Sequence, residues 1–257
     1  MSLTPRPGIM DITPYKGGAS KVAGVQRVTK LSSNEGPFGP SPKAIEAIQE
    51  TATRQHRYPD GGATELRHKL ADKYDLDAER IVCGAGSDEL LGLLCRAYAG
   101  EGDEVLYCDH GFLMYPISAR SVGATPVVAG DTELTCDVNK VLAAVTDKTR
   151  IVFIANPNNP TGTYVPFSEI ERLHAGLRDD ILLVLDAAYA EFMDEADYDA
   201  GIKLVERSDN TVMTRTFSKL YGLGGIRLGW AYAPEGIADV LNRVRNPFNV
   251  TASALAA

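Results

Sequence analysis

From about residue 80 onward, short apolar runs alternate with amphipathic segments. The apolar runs predict strands at Arg80–Cys83, Glu104–Cys108, Thr125–Val128, Arg150–Ala155, Ile181–Asp186, Thr211–Thr214 and Leu228–Ala233. Two of them, Ile151-Val152-Phe153-Ile154 and Ile181-Leu182-Leu183-Val184-Leu185, are apolar without interruption, as a strand covered on both faces must be. Between the strands, Val138, Val141, Leu142 and Val145 fall at i, i+3, i+4 and i+7, and Ile237, Val240, Leu241 and Val244 repeat that spacing. Both segments therefore read as helices with one buried stripe. The alternation predicts an α/β fold with a mostly parallel central sheet flanked by helices.

The first 40 residues follow a different pattern. Pro, Gly and Ser are frequent and periodicity is weak, until Ser41-Pro42, an N-cap and N1 pair, opens a helix expected to run to about Gln55. The division expected is an N-terminal arm (1–40) followed by one large domain (41–257). At the other end, Thr251–Ala257 reads as a helix with no stop signal, so the chain is expected to break off before its fold is finished.

Composition narrows the function classes. With 257 residues, 44% hydrophobic and 23% charged, the chain has the balance of a soluble protein with a sizeable core. A net charge of −8 without a basic stripe argues against nucleic-acid binding. It also requires that any anionic ligand be held by local cations and helix dipoles. Cys83, Cys95, Cys108 and Cys136 form no C-x-x-C pair and the four histidines are scattered, so no metal site is expected and reduced thiols are. The N-terminus has no signal-peptide core, and no apolar run approaches the ~20 residues that span a bilayer, so no membrane partner and a cytoplasmic location are expected.

Four motifs carry chemistry. Gly84-Ala85-Gly86-Ser87-Asp88-Glu89 follows a strand and opens a helix over Glu89–Ala99; its glycines let backbone approach an anion, and Ser87 is placed to cap the helix. Asp109, about 20 residues on, invites a dinucleotide reading, but Glu89 stands where that fingerprint has its third glycine. Asn156-Pro157-Asn158-Asn159-Pro160-Thr161-Gly162 is a rigid turn at a strand's carboxyl end, where open α/β sheets place ligands. Asp186 ends an apolar strand, and a carboxylate there needs a partner such as a protonated ring nitrogen. Finally, Thr216-Phe217-Ser218-Lys219, with Arg227 eight residues further, puts an amine, hydroxyls and a guanidinium within reach of one small molecule bearing an aldehyde and a phosphate.

Together with Leu31–Pro40 and Arg57-Tyr58-Pro59-Asp60, these stretches resemble fold-type I pyridoxal-phosphate enzymes of the aspartate aminotransferase superfamily, and within it the histidinol-phosphate branch. The resemblance implies pyridoxal 5′-phosphate held covalently by Lys219, which also moves the substrate proton. It implies Asp186 on the pyridine nitrogen, Asn159 and Tyr189 on the 3′ oxygen, and Phe112 stacked on the ring. The phosphate would be bound by the Ser87 and Asp88 amides, Thr216, Ser218 and Arg227. Tyr58 would reach it from the other subunit of a homodimer, with the arm also crossing the interface. Tyr15 and Asn34 would contact substrate. The implied reaction is transamination of L-histidinol phosphate with 2-oxoglutarate, giving imidazole-acetol phosphate and L-glutamate, in L-histidine biosynthesis.

Two features depart from the pattern. Gly36 replaces the family's usual asparagine, which puts the substrate in question, and the resemblance implies a C-terminal small domain, bearing a substrate-binding arginine, that this sequence lacks. The rival expectations are an aromatic amino-acid aminotransferase, a phosphothreonine decarboxylase-like lyase and a non-catalytic cofactor-binding module.

Overall fold

The computed structural model describes residues 3–18, 23–24, 28–30 and 32–257; Leu31 lies outside them. The strands are β1 (Ile81–Gly84), β2 (Glu104–Cys108), β3 (Thr125–Ala129), a small hairpin β4 (Asp131–Thr132) and β5 (Thr135–Cys136), β6 (Thr149–Ala155), β7 (Leu182–Asp186), β8 (Thr211–Thr216) and β9 (Gly229–Tyr232). The α-helices are α1 (Pro42–Thr51), α2 (Thr64–Tyr74), α3 (Ser87–Tyr98), α4 (Met114–Ser121), α5 (Val138–Ala144), α6 (Phe167–Gly176), α7 (Ile202–Val205), α8 (Glu235–Val244) and α9 (Ala252–Ala256).

Seven strands form one sheet in the order β1-β9-β8-β7-β6-β2-β3. Strands β3, β2, β6, β7 and β8 run parallel to one another, whereas β9 runs antiparallel to both β8 and β1. The expected mostly parallel sheet is therefore present, with one reversed strand. That reversal has a consequence for the site. The amino end of β9 lies on the same sheet edge as the carboxyl ends of β1, β6, β7 and β8, so Arg227, which precedes β9, arrives there too.

Strand alternation assigns the two faces. Ile151, Phe153, Leu182 and Val184 pack with Leu90, Leu94, Tyr115 and Leu241 beneath α3, α4 and α8. Val152, Ile154, Leu183 and Leu185 pack on the other face with Val141, Ile170 and Leu173 of α5 and α6. Burial on both faces is why β6 and β7 are continuously apolar. A third cluster joins Trp230 and Met213 to Leu70 of α2 and Ala254 of α9.

Boundaries shift where local hydrogen bonds intervene. Arg80, expected to start β1, instead ends a 3-10 turn whose Asp77 side chain accepts from the Glu79 N–H. Helix α1 is capped by Ser41, which accepts from the Ala44 N–H at 3.2 Å, but its α-helical part stops at Thr51 and a 3-10 turn, Ala52–Arg54, follows. All four cysteines are free. Among the described residues, no helix is long and apolar enough to cross a membrane.

Candidate active site

The chain order of the strands reverses between β2 and β6, the kind of switch point where open α/β sheets open a crevice. A cavity of about 640 Å³ lies there, lined by the loop after β2, the Asn-rich turn after β6, the end of β7 and the loop after β8. Of the residues expected from sequence, Tyr15, Asn34, Ser87, Asp88, Phe112, Asn159, Asp186, Tyr189, Thr216, Ser218, Lys219 and Arg227 all line it. Tyr58 does not: it is 83% exposed and stacks on Phe248, with ring centroids 4.6 Å apart.

Register places the acid. Ala155 of β6, Asp186 of β7 and Thr214 of β8 lie side by side across the sheet. Asp186 is buried, with Tyr115 donating its hydroxyl proton to Oδ2 at 2.9 Å and Thr214 donating to Oδ1 at 3.4 Å. Burial pushes its carboxyl up to about 6, against the opposing pull of these hydrogen bonds and of the Ala188 N–H. These hydrogen-bond partners are neutral, and among the described residues no cation pairs with the carboxylate. Tyr115 and Thr214 were not singled out by the sequence. Tyr115 is fixed by α4 and by stacking on Phe153, with rings 4.7 Å apart and inclined by only 4°.

The opposite end of the cavity gathers the groups that suit an anion. Helix α3 starts at Ser87, with Gly86 as its N-cap and no side-chain capping bond, so its first N–H groups are left for a ligand. This corrects the expectation that Ser87 caps the helix: it is the first helical residue. Gly86 has a left-handed φ of 92°, and a Cβ there would stand 2.3 Å from an Arg227 nitrogen, so only glycine fits. Gly229 is equally constrained, since its Cβ would lie 2.3 Å from the Ser87 backbone nitrogen. Arg227 donates to both Asp88 carboxylate oxygens, at 2.9 and 3.2 Å, to the Gly224 carbonyl at 3.0 Å and to Ser218 Oγ at 3.4 Å. The Thr216 hydroxyl accepts from the Ser218 N–H at 3.1 Å and so shapes the turn that carries Lys219.

Lys219 lies between these ends. Its Nζ donates to the Ser33 carbonyl at 3.3 Å and stands 5.6 Å from the centre of the Tyr189 ring. Burial lowers its affinity for a proton, helped by the Arg227 charge and opposed by Tyr15, Asp186 and Asp88. Burial likewise raises the Tyr189 phenol, with Asp186 adding to the effect and the bond from Asn34 opposing it.

The three asparagines of the turn separate by role. Asn156 exchanges two hydrogen bonds with the Val165 backbone, both 2.9 Å. Asn158 donates to the His110 carbonyl and to Thr161. Asn159 makes no side-chain hydrogen bond among the described residues, and it faces the cavity. Phe112, edge-on to Tyr115 at 5.8 Å, supplies an apolar wall. Among the described residues no group of three or more His, Cys, Asp or Glu side chains is placed to hold a metal.

Fold and site together define an amine-handling enzyme class, and comparison with known families agrees: the model of "Aminotransferase class I and II" matches residues 26–257, and the chain belongs to that family. Its relatives narrow the class. It is 67% identical to the histidinol-phosphate aminotransferase of Paramagnetospirillum magneticum and 62% identical to that of Rhodospirillum rubrum. These alignments cover 98% of this chain and 70% and 68% of the relatives. Among solved structures, histidinol-phosphate aminotransferase from Sinorhizobium meliloti, in complex with pyridoxal-5′-phosphate, superposes with a TM-score of 0.83 at 31% identity. That match covers 87% of this chain and 61% of the other, so the chain spans less than two thirds of that protein's length.

Proposed function

We propose that this protein binds pyridoxal 5′-phosphate and transaminates L-histidinol phosphate with 2-oxoglutarate, giving imidazole-acetol phosphate and L-glutamate, as a cytoplasmic enzyme of L-histidine biosynthesis. The observation that carries the reading is the buried Asp186, with no ion-pair partner among the described residues, at one end of a cavity whose other end offers a helix N-terminus and Arg227, with Lys219 between them. A protonated ring nitrogen suits the first and a phosphate the second. Bound there, the cofactor supplies an electrophilic aldehyde carbon and a ring that accepts electrons from a substrate carbon.

The chain's own groups do the rest. Asp186 keeps the ring nitrogen protonated, and Tyr115 and Thr214 keep Asp186 oriented. Lys219 would hold the cofactor through Nζ, and the same amine is placed to take up and return the Cα proton of an amino donor. Burial, which disfavours the ammonium form, suits Nζ to the role of base. Asn159 and Tyr189 would hold the 3′ oxygen, and Phe112 would wall the ring. The Ser87 and Asp88 N–H groups, Thr216, Ser218 and Arg227 hold the phosphate.

The same reading covers the remaining residues. Tyr15, half exposed at the cavity, faces the amino donor. Tyr58, exposed and outside its own cavity, serves the partner subunit of a homodimer, together with the arm (1–40), while 41–257 form the cofactor-binding domain.

An assay of purified protein with L-histidinol phosphate and 2-oxoglutarate tests the assignment. Glutamate should form at a kcat/KM at least tenfold above that with phenylalanine or tyrosine as donor. Preference for an aromatic donor, or release of carbon dioxide from a phosphorylated amino acid, would replace it with one of the rival reactions.

A further inference from the structure

The sequence places Asn34 against substrate, but the structure gives its side chain a different partner. Asn34 Nδ2 donates to the Tyr189 hydroxyl oxygen at 2.7 Å. The residue before it, Ser33, accepts from Lys219 Nζ through its carbonyl. Ser33 and Asn34 both have left-handed backbones, with φ of 70° and 50°. Such a pair is uncommon outside glycine, and asparagine tolerates it better than most residues. Two residues on, Gly36 lets the segment lie against the Lys219 loop, because a Cβ there would stand 3.1 Å from the Lys219 carbonyl oxygen. The departure from the family's asparagine thus coincides with close docking of this segment on the turn that carries the lysine.

Hydrogen-bond direction gives the segment its chemistry. A phenol that accepts from an amide N–H keeps its own proton for a second partner. With Asn34 on its oxygen, Tyr189 donates to no partner among the described residues, which leaves its O–H for the cavity it lines. On the reading that pyridoxal phosphate occupies this cavity, we propose that Asn34 is a positioning residue that holds Tyr189 as a proton donor to the 3′ oxygen, and does not itself touch the amino donor. Were the bond reversed, with Tyr189 donating to the amide oxygen, the phenol would turn a lone pair toward an anionic oxygen and repel it.

A double-mutant cycle, read from the visible absorption of bound pyridoxal phosphate against pH, tests this. Tyr189→Phe should move the titration midpoint. Asn34→Ala should move it in the same direction by roughly half to one pH unit, the size of one neutral hydrogen bond. Asn34→Leu, which keeps about the same volume without a donor and adds no charge, should do the same, and it guards against a packing defect in the alanine variant. In the Tyr189→Phe background either Asn34 change should add nothing. Independent, additive shifts would overturn the proposal, as would an unaltered Asn34→Ala titration with a raised KM for the amino donor. Wild-type protein that shows no visible band with pyridoxal phosphate would instead refute the occupant itself, and the positioning role with it.

Discussion

The Tyr115 hydroxyl sits 2.9 Å from Asp186 Oδ2, and both side chains are buried at the sheet edge. It is the shorter of the two side-chain hydrogen bonds to a carboxylate that has no ion-pair partner among the described residues. Removing it in Tyr115→Phe leaves a buried acceptor unsatisfied, at a cost of about 1–3 kcal/mol while the group is ionised. The carboxyl, already near 6, should titrate higher still. Cofactor affinity measured across pH should then lose its acid limb at a higher pH than in the wild type, and an unshifted limb would show that the phenol does not govern Asp186.

Asp186→Asn should have opposite effects on stability and binding. The folded pKa of about 6 lies above the ordinary 3.8, so Asp186 favours the fold fully below 3.8 and that contribution is lost as pH rises through about 6. At higher pH the ionised group costs the cofactor-free protein about 3 kcal/mol. The asparagine variant should therefore be more stable than wild type above about pH 6 without cofactor, by up to that amount, and equal to it in acid. Its affinity for pyridoxal phosphate should fall. Urea unfolding at two pH values checks the first point, and spectroscopic titration the second.

Arg227 is predicted to serve the phosphate and little else. Its guanidinium, held by Asp88, Ser218 and Gly224, faces the open start of α3. Arg227→Ala should weaken pyridoxal phosphate binding by roughly 10- to 100-fold, one charge-assisted hydrogen-bond set. Binding of pyridoxal, which has no phosphate, should change by much less. Equal losses for both ligands would place the arginine elsewhere.

The sequence carries the site in those residues whose chemistry conflicts with their surroundings. An acid at the end of an unbroken apolar strand, as Asp186 is in β7, needs an explanation that a solvated acid does not. The Gly84–Glu89 turn was legible because glycines between a strand and a helix let backbone approach a ligand; the structure adds that Gly86 also leaves space for the Arg227 side chain. Tyr115 was not, because an aromatic residue on an amphipathic helix looks like any core residue; its one signal was its closeness in sequence to Phe112. The reversal of β9 was also hidden, since apolar residues in a strand carry no record of direction, and the long excursion from Thr216 to Gly229 permits either. Yet that reversal is what brings Arg227 to the sheet edge where Lys219 sits. Ser87 was misread as a cap because the sequence offers a serine after glycine, while the chain enters the helix one residue earlier.

The central claim is that Lys219 holds the cofactor, and reductive trapping tests it most directly. Purified protein incubated with pyridoxal phosphate should be yellow, should lose that absorption on treatment with borohydride, and should yield one phosphopyridoxyl peptide, the one containing Thr216-Phe217-Ser218-Lys219. Label on another lysine, or a protein that stays colourless, would contradict the assignment.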